Sequence, residues 1–275
     1  MSPSNVRIAI AQMCSTSSVE RNLSTIQSFA RLARDANASM LFLPENACFM
    51  GLPGTKMSLD VAESLDEGSR EERTSGIVAR LRAISREANV WLSVGGFQER
   101  AGNDKVFNTH IVFDDRGNIV SRYRKIHLFD YAAGGLVESR LTAPGDDVVL
   151  CDTPFGMTLG LSVCFDVRFP MLYVKLRERG ANVMLIPAAF HPTTGAAHWE
   201  TLLRARAIET QSFVIAAAQA GAHNEKRSSY GHGMVCNPWG EVLCCLSGEE
   251  EIRVVELDLG LVEEVRRTMP LYSPL

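Results

Sequence analysis

Apolar and polar residues follow two different periods along the first half of the chain. Short runs that are almost wholly apolar, such as Met40-Leu41-Phe42-Leu43, are typical of strands buried on both faces. Between these runs apolar residues recur every three or four positions, which is typical of helices packed by one face, and Ser17-x-x-Glu20 has the form of a capping box. The pattern predicts strands at 6–13, 40–43, 90–97, 106–113 and 119–125, and helices over 19–33 and 77–88.

The second half of the chain repeats this order of elements. It too begins with a strand and a helix, and it too ends with a hairpin, here turning at Asn237-Pro238-Trp239-Gly240. Two copies of such a unit, with apolar strands covered by helices, indicate two mixed sheets packed face to face. We therefore expect a single domain over 1–275 with a four-layer αββα sandwich. The predicted strands are 157–164, 183–186, 213–219, 233–236, 241–246 and 253–257, and the predicted helices are 170–179 and 197–211.

Composition and charge exclude several classes of protein. The 28 Lys and Arg residues are balanced by 32 Asp and Glu, giving a net charge of -4, so nothing suggests a nucleic-acid partner. No run reaches the ~18 apolar residues that a membrane span needs, and no ligand spacing typical of a metal site is present. We expect no metal and no cofactor. The odd count of seven cysteines predicts free thiols and a cytoplasmic location.

Three reactive side chains lie at or just after the ends of predicted strands, where α/β proteins commonly place their functional groups. They are Glu45, Lys125 and Cys164. A carboxylate can take the proton of a thiol as it attacks a carbonyl carbon. A lysine, together with the amide N–H of Phe165 after the thiol, can stabilise the resulting oxyanion. From the residues alone, simpler interpretations stay open: a small buried cysteine, a turn glutamate, and a lysine on a solvated strand face.

Three segments together resemble the nitrilase (carbon-nitrogen hydrolase) superfamily. They are Phe42-Leu43-Pro44-Glu45-Asn46, Tyr123-Arg124-Lys125-Ile126-His127-Leu128, and residues 162–170 around Ser162-Val163-Cys164-Phe165-Asp166. The resemblance implies the αββα fold in a carbon-nitrogen hydrolase domain, a thiol nucleophile at Cys164, a general base at Glu45 and an oxyanion-stabilising Lys125. It also makes Glu138 the family's second glutamate, which lies near the lysine and helps to position the substrate.

Residues 195–211 and 216–240 are similar to the Nit branch of this superfamily, in particular to members that act as deaminated glutathione amidases. The resemblance implies cleavage of the γ-amide of deaminated glutathione, giving 2-oxoglutarate and cysteinylglycine, by a homodimer or higher homo-oligomer. Alternatives are an ω-amidase for 2-oxoglutaramate, another carbon-nitrogen hydrolase such as a carbamoylase or nitrilase, and a non-catalytic Nit interaction partner.

A substrate with an α-keto carboxylate needs a cation or amide groups in its pocket, because an unpaired buried carboxylate is costly. Arg168 is the candidate cation, with a pair to Asp166 as the structural alternative. His191 departs from the Nit pattern, which indicates either an added proton donor or a repacked loop. The candidates for the pocket lining are Phe165, Phe190, Thr194 and Phe129.

Overall fold

Two mixed β-sheets form the centre of the computed structural model, which describes residues 5–65, 76–102, 104–131 and 136–271. The strands of the first sheet are β1 (Asn5–Gln12), β2 (Met40–Leu43), β3 (Trp91–Arg100), β4 (Val106–Phe113), β5 (Ile119–Arg124), β8 (Thr142–Ala143) and β17 (Glu251–Asp258). They are arranged in the order β17-β1-β2-β3-β4-β5, and β8 also pairs with β4.

The second sheet contains β9 (Leu150–Asp152), β10 (Thr158–Leu161), β11 (Val183–Leu185), β12 (Phe213–Ala216), β15 (Met234–Cys236) and β16 (Val242–Cys245). Its strand order is β16-β15-β12-β11-β10-β9. Two short hairpins lie outside both sheets: β6 (Asp130–Tyr131) pairs with β7 (Leu136–Val137), and β13 (Ala220–Asn224) pairs with β14 (Arg227–Tyr230). The described helices are α1 (Val19–Asp35), α2 (Met57–Asp60), α3 (Ile77–Ala88), α4 (Pro170–Glu178), α5 (Pro192–Thr210) and α6 (Gly260–Thr268).

Successive residues of the central strands pack into two different cores. In β1, Ile8 and Ile10 join a core shared with Leu159 and Leu185 of the other sheet. Between them, Ala9 belongs to a second core formed with α1 and α3. Because side chains alternate across a strand, this sheet is covered by a sheet on one face and by helices on the other. The helices α4 and α5 pack on the outer face of the second sheet, which confirms the predicted αββα layers.

The first helix is capped one residue later than the sequence pattern indicates. Ser18, not Ser17, is the N-cap, and its side chain accepts a hydrogen bond from the Arg21 amide. Glu20 lies in the first turn, where its charge interacts favourably with the helix dipole, and it also pairs with Arg80 of α3. The buried face of α1 is the one predicted from the apolar spacing: Leu23, Ile26, Ala30 and Ala33.

Helix α5 begins at Pro192, five residues before the predicted start at residue 197. His191 is its N-cap, and the ring Nδ1 accepts a hydrogen bond from the Thr193 amide at 3.3 Å. Proline at the first helical position suits a helix start, since its missing N–H would have no helical partner there. The Pro-Thr-Thr-Gly sequence resembles a turn, which is why the pattern predicts a start that is too late.

The parallel strands of both sheets end close together. β1, β2 and β3 are parallel neighbours in the first sheet, as are β10, β11 and β12 in the second. Glu45 follows β2, and Cys164 follows β10 after two further residues rather than ending a strand. The predicted elements occur in the predicted order, but α2, β6–β9, the β13–β14 hairpin and α6 were not predicted. The last predicted strand, β17, returns to pair with β1 at the edge of the first sheet.

Candidate active site

Glu45 lies between the two sheets, 3% exposed, immediately after Pro44. One carboxylate oxygen, Oε1, accepts a hydrogen bond from Asn108 Nδ2 at 2.9 Å and contacts Lys125 Nζ at 3.3 Å. The other oxygen, Oε2, accepts from the Ala189 amide at 3.0 Å. Burial by itself raises the pKa of this carboxyl, but nearby positive charge, above all that of Lys125, outweighs burial and lowers the pKa. Glu45 is therefore ionised and can accept a proton.

Two glycines of β3 make room for Glu45. Gly96 has φ +64°, and a Cβ on it would lie 2.3 Å from the Asn46 amide nitrogen and 2.7 Å from Glu45 Cγ. A Cβ on Gly95 would lie 2.3 Å from Cβ of Pro187. The register of β3 against β4 shifts at this point. Glycine inside a strand commonly marks such a bulge or a close backbone approach, and here it allows three loops to meet.

Lys125 follows β5 and is 2% exposed. Its ammonium donates to both oxygens of Glu138, at 3.2 and 2.9 Å, and also contacts Glu45. Burial favours the neutral amine, but the carboxylates of Glu138 and Glu45 reverse this effect and raise the pKa of Lys125. The lysine therefore keeps its charge and cannot serve as the base of this cluster.

Glu138 is held by the backbone as well as by Lys125. It begins a 3-10 turn, Glu138–Arg140, and its Oε2 accepts the Phe129 amide at 2.7 Å. Its Oε1 accepts from Asn108 at 3.1 Å. One Asn108 amide group therefore bridges the two carboxylates that flank the lysine, which fixes the spacing among all three charged side chains.

Cys164 begins a 3-10 turn, Cys164–Arg168, with a left-handed backbone at φ +48°. Residues other than glycine rarely adopt this region, and such strain is concentrated at functional sites. The Cys164 amide donates to the Pro187 carbonyl at 2.9 Å. Its thiol lies close to the Glu45 carboxylate and to the Ala189 amide. Burial, followed by the charge of Glu45, raises the pKa of the thiol, so the proton stays on sulfur until Glu45 removes it.

Aromatic rings surround the turn that carries Cys164. The Phe129 and Phe165 rings meet edge to face with centroids 5.1 Å apart, and Phe165 also contacts Phe169 at 5.5 Å. The guanidinium of Arg168 lies 5.9 Å from the ring of Phe165 and 5.2 Å from that of Phe190. Aromatic side chains therefore border the site, and the guanidinium of Arg168 lies among them.

Arg168 does not pair with Asp166. Its two terminal nitrogens each lie 3.3 Å from Nδ1 of His198 in α5. Asp166 is fully buried and instead accepts hydrogen bonds from the Tyr123 hydroxyl at 2.7 Å and from the amide and ring of His127. This leaves the Arg168 charge without a carboxylate partner in the described part of the chain.

Thr194 and His191 lie at the start of α5. The Thr194 hydroxyl is half-buried and donates to the His191 carbonyl at 3.4 Å. His191 itself is exposed and caps the helix. Of the two alternatives for His191, the capping contact favours a repacked loop.

A family model described as carbon-nitrogen hydrolase matches residues 7–267. The chain belongs to this family. Of the sequences it resembles, the deaminated glutathione amidase of Dictyostelium discoideum is 41% identical, over 97% of this chain and 92% of the relative. The chain is accordingly a hydrolase of carbon-nitrogen bonds other than peptide bonds.

Two solved structures show the same fold. The NitFhit protein of C. elegans, a nitrilase and fragile histidine triad fusion, superposes with a TM-score of 0.90 at 39% identity, over 98% of this chain and 65% of that one. A mutant amidase from Nesterenkonia sp. AN1, in which acrylamide has added to the active site cysteine, has a TM-score of 0.79 at 25% identity. That match covers 96% of this chain and 98% of the amidase.

Three features of this site do not emerge from the sequence motifs. The first is Asn108, which lies on β4 and belongs to no motif. The second is the pair Gly95-Gly96, which the sequence could have revealed, because glycine inside a predicted strand indicates a bulge. The third is Arg227, whose charge acts on Glu45 although the two lie in opposite halves of the chain. Within the described ranges no group of three or more His, Cys, Asp or Glu could hold a metal ion, and no helix there is long and apolar enough to cross a membrane.

Proposed function

We propose that this protein is a cysteine-dependent amidase that hydrolyses deaminated glutathione to 2-oxoglutarate and cysteinylglycine. The observation that supports it best is the contact cluster of Glu45, Lys125, Glu138 and Cys164, brought together from four separate segments. An ionised carboxylate beside a protonated thiol, with a permanent cation within 3.3 Å of that carboxylate, suits acyl transfer. The substrate follows from the name of the Dictyostelium relative.

In the first half-reaction, Cys164 Sγ attacks the amide carbonyl carbon while Glu45 takes the thiol proton. The oxyanion that forms is stabilised by Lys125 Nζ and by the Phe165 amide N–H. Collapse of this intermediate breaks the C–N bond, and Glu45 passes its proton to the departing nitrogen. The products of this step are a thioester on Cys164 and the free amine of cysteinylglycine.

In the second half-reaction, Glu45 takes a proton from a water molecule, whose oxygen attacks the thioester carbon. The same two donors stabilise the second oxyanion. Cleavage of the C–S bond releases the carboxylic acid, and the proton on Glu45 returns to sulfur. Glu138 does not exchange a proton in this scheme; together with Asn108 it holds the lysine in place.

The aromatic border and Arg168 would bind the acyl part of the substrate. Phe129, Phe165 and Phe190 provide apolar contact for the methylene groups, and Thr194 provides a hydroxyl at the start of α5. The charge of Arg168 matches the α-keto carboxylate, since a carboxylate left unpaired would oppose binding.

Steady-state release of 2-oxoglutarate from deaminated glutathione tests this proposal. We expect turnover by the wild type, loss of it in Cys164→Ala, and near wild-type rates in the matched control Cys245→Ala, which removes an exposed thiol. Absence of turnover by the wild type would contradict the proposal that deaminated glutathione is the substrate. In that case 2-oxoglutaramate, carbamoyl compounds and nitriles are tested next, and inactivity on all of them favours the interaction-partner alternative, for which the NitFhit fusion is a precedent.

We further propose that the protein forms a homodimer in the cytosol. The exposed side chains of Ile208 in α5 and Trp239 support an interface, and Gly240, next to Trp239, packs against Ile208. All seven cysteines are free thiols, which suits a reducing compartment. Sedimentation equilibrium should give twice the 30.2 kDa chain mass, and Trp239→Ser should shift the equilibrium toward monomer. A monomeric wild type would contradict the proposed homodimer. Absence of a tagged chain from the cytosolic fraction would contradict the proposed location.

A further inference from the structure

The two donors proposed for the oxyanion come from different sheets. Lys125 follows β5 of the first sheet, and Phe165 lies in the 3-10 turn after β10 of the second. An oxyanion is stabilised only when each donor lies about 2.7–3.1 Å from its oxygen. The spacing between the lysine ammonium and the backbone amide therefore has to be fixed by contacts that cross from one sheet to the other.

Asp166 follows the backbone donor in the chain and makes such a contact. It is fully buried, and each of its carboxylate oxygens accepts two hydrogen bonds. Oδ2 accepts from the Tyr123 hydroxyl at 2.7 Å and from the Val163 amide at 2.9 Å. Oδ1 accepts from the amide and the ring Nδ1 of His127, at 3.1 and 2.7 Å. Three of these four donors belong to residues 123–127, which carry the lysine.

The Tyr123 hydroxyl also holds the lysine segment itself. Besides donating to Asp166, it accepts a hydrogen bond from the Ile126 amide at 3.2 Å, and Ile126 directly follows Lys125. Burial, together with the charge of Asp166, raises the pKa of Tyr123, so the hydroxyl keeps its proton and stays a donor. One fully buried hydroxyl thus closes the chain around the lysine and joins it to the carboxylate.

The same aspartate holds the turn that carries the nucleophile. Its amide donates to the Val163 carbonyl at 3.1 Å, while its Oδ2 accepts from the Val163 amide. These two bonds enclose Cys164, whose φ of +48° is sparsely populated by residues other than glycine. Further along the turn, the His127 ring stacks on Phe169 with centroids 3.7 Å apart. The segment with the lysine therefore contacts this turn in two places.

We propose that Asp166 and Tyr123 are positioning residues, whose hydrogen bond fixes the spacing between Lys125 Nζ and the Phe165 amide at the oxyanion. The inference rests on the proposed function, in which these two groups are the oxyanion donors. Asp166 and Tyr123 exchange no proton in the reaction and act through the segments that they join. Loss of their bond should slow reactions of the thiol that form an oxyanion and spare those that do not.

The main alternative is that Asp166 only satisfies buried donors of the fold. Removing the Tyr123 hydroxyl would then lower stability and affect every reaction of Cys164 alike. Tyr123→Phe is preferred to Asp166→Ala, which leaves four donors without their acceptor and is expected to unfold the chain. The matched control is Tyr173→Phe, because Tyr173 is also fully buried but its hydroxyl hydrogen-bonds Ser162 at 2.7 Å.

The experiment compares two reactions of Cys164. With p-nitrophenyl acetate, Sγ attacks the acetyl carbon through an oxyanion, Glu45 takes the thiol proton, and the C–O bond breaks to release p-nitrophenolate. With iodoacetamide, Sγ displaces iodide from a methylene carbon and no oxyanion forms. Release of p-nitrophenolate that persists in Cys164→Ala is subtracted, and alkylation of Cys164 is followed by peptide mass.

We expect Tyr123→Phe to slow p-nitrophenolate release about tenfold, less than the roughly 10²–10³-fold that loss of a whole oxyanion donor costs, and to leave alkylation within about twofold of wild type. On deaminated glutathione it should lower kcat about tenfold and leave KM within about twofold, because the lost interaction is made in the transition state. Tyr173→Phe should keep all of these rates within about twofold of wild type.

Equal slowing of release and alkylation in Tyr123→Phe would overturn the proposal in favour of a purely structural role, and no change in either would overturn it outright. If the wild type reacts with p-nitrophenyl acetate but not with deaminated glutathione, the proposed substrate fails, and the ratio of the two Cys164 reactions still decides the role of Tyr123. Absence of Cys164-dependent release in the wild type would overturn both proposals.

Discussion

Gly96 lies at a close backbone approach in the active site, and replacing it with alanine should disable the enzyme more than it destabilises the fold. A Cβ there would lie 2.3 Å from the Asn46 nitrogen and 2.7 Å from Glu45 Cγ. Neither atom is the end of a flexible side chain that could swing away. The segment carrying Glu45 must therefore move as a unit.

The size of the effect follows from two separate costs. Alanine at positive φ costs about 1–2 kcal/mol relative to glycine, and overpacking a tight site adds roughly 1–3 kcal/mol. Gly54 has φ +71°, and a Cβ added to it would have no atom within 4 Å, so it carries the first cost alone. Gly54→Ala is thus the matched control. Relieving a 2.3 Å contact moves Glu45 by on the order of 1 Å, and a misplacement of that size lowers turnover by about 10²-fold.

Urea unfolding and steady-state amide hydrolysis measure the two effects. We expect Gly54→Ala to lose about 1–2 kcal/mol with turnover unchanged, and Gly96→Ala to lose roughly 2–5 kcal/mol with turnover reduced by about two orders of magnitude. A typical domain has roughly 5–15 kcal/mol of stability to lose, so the variant should still fold. Equal stability and turnover in the two variants would refute the argument that Gly96 makes room for Glu45.

Three further predictions concern titrating groups. Glu138→Gln should lower kcat at least tenfold, because Lys125 loses its closest counter-charge, and Tm should fall as well; an unchanged kcat in steady-state assays would contradict this. Glu45→Gln should abolish amide turnover but speed alkylation of Cys164 by iodoacetamide, because it removes the negative charge that raises the thiol pKa and leaves Lys125 to favour the thiolate; an unchanged or slower rate of modification, measured by mass spectrometry of the peptide, would show that the reasoning is wrong. Burial lowers the pKa of His110 to about 4, so only the unfolded state gains this proton between pH ~6.5 and ~4. The contribution of His110 to the free energy of unfolding is fully present above pH ~6.5 and falls by up to about 3 kcal/mol as the pH drops to ~4. Urea titrations should therefore show that His110→Gln loses less stability on acidification than the wild type. An equal loss in both proteins would exclude His110 as the cause.

The layers of the fold were predictable because its strands and helices have distinct periods. The apolar faces of α1 and α3 are those that the spacing indicates, and the repeated order of elements predicted two sheets. Boundaries were less accurate where local chemistry competes with the pattern. Pro192 and the residues after it resemble a turn, yet His191 caps a helix there. Pairing of β17 with β1 joins the two ends of the described chain, and no local pattern encodes such a distant contact.

The catalytic residues could be named from short motifs, but their arrangement could not. Glu45, Lys125 and Cys164 each lie at or near the end of a strand, as the sequence indicates. Residues outside the motifs bring them together. Asn108 bridges the carboxylates of Glu45 and Glu138, and Gly96 leaves room for Glu45 because it has no Cβ. These roles depend on distances across two sheets, which form only on folding.

The charge arrangement also determines which form of the thiol the enzyme uses. A cysteine beside a protonated histidine or a helix N-terminus can exist as a thiolate before substrate binds. Here the neighbour of Cys164 is a carboxylate, and burial together with that negative charge raises the pKa of the thiol. The proton must then move to Glu45 during attack, and the same carboxylate returns it to the departing nitrogen. Lys125 divides its positive charge between Glu138 and Glu45. Glu45 is therefore stabilised less than it would be as the sole partner of the lysine, and it stays basic enough for both proton transfers. Lys125 remains charged and can stabilise the oxyanion.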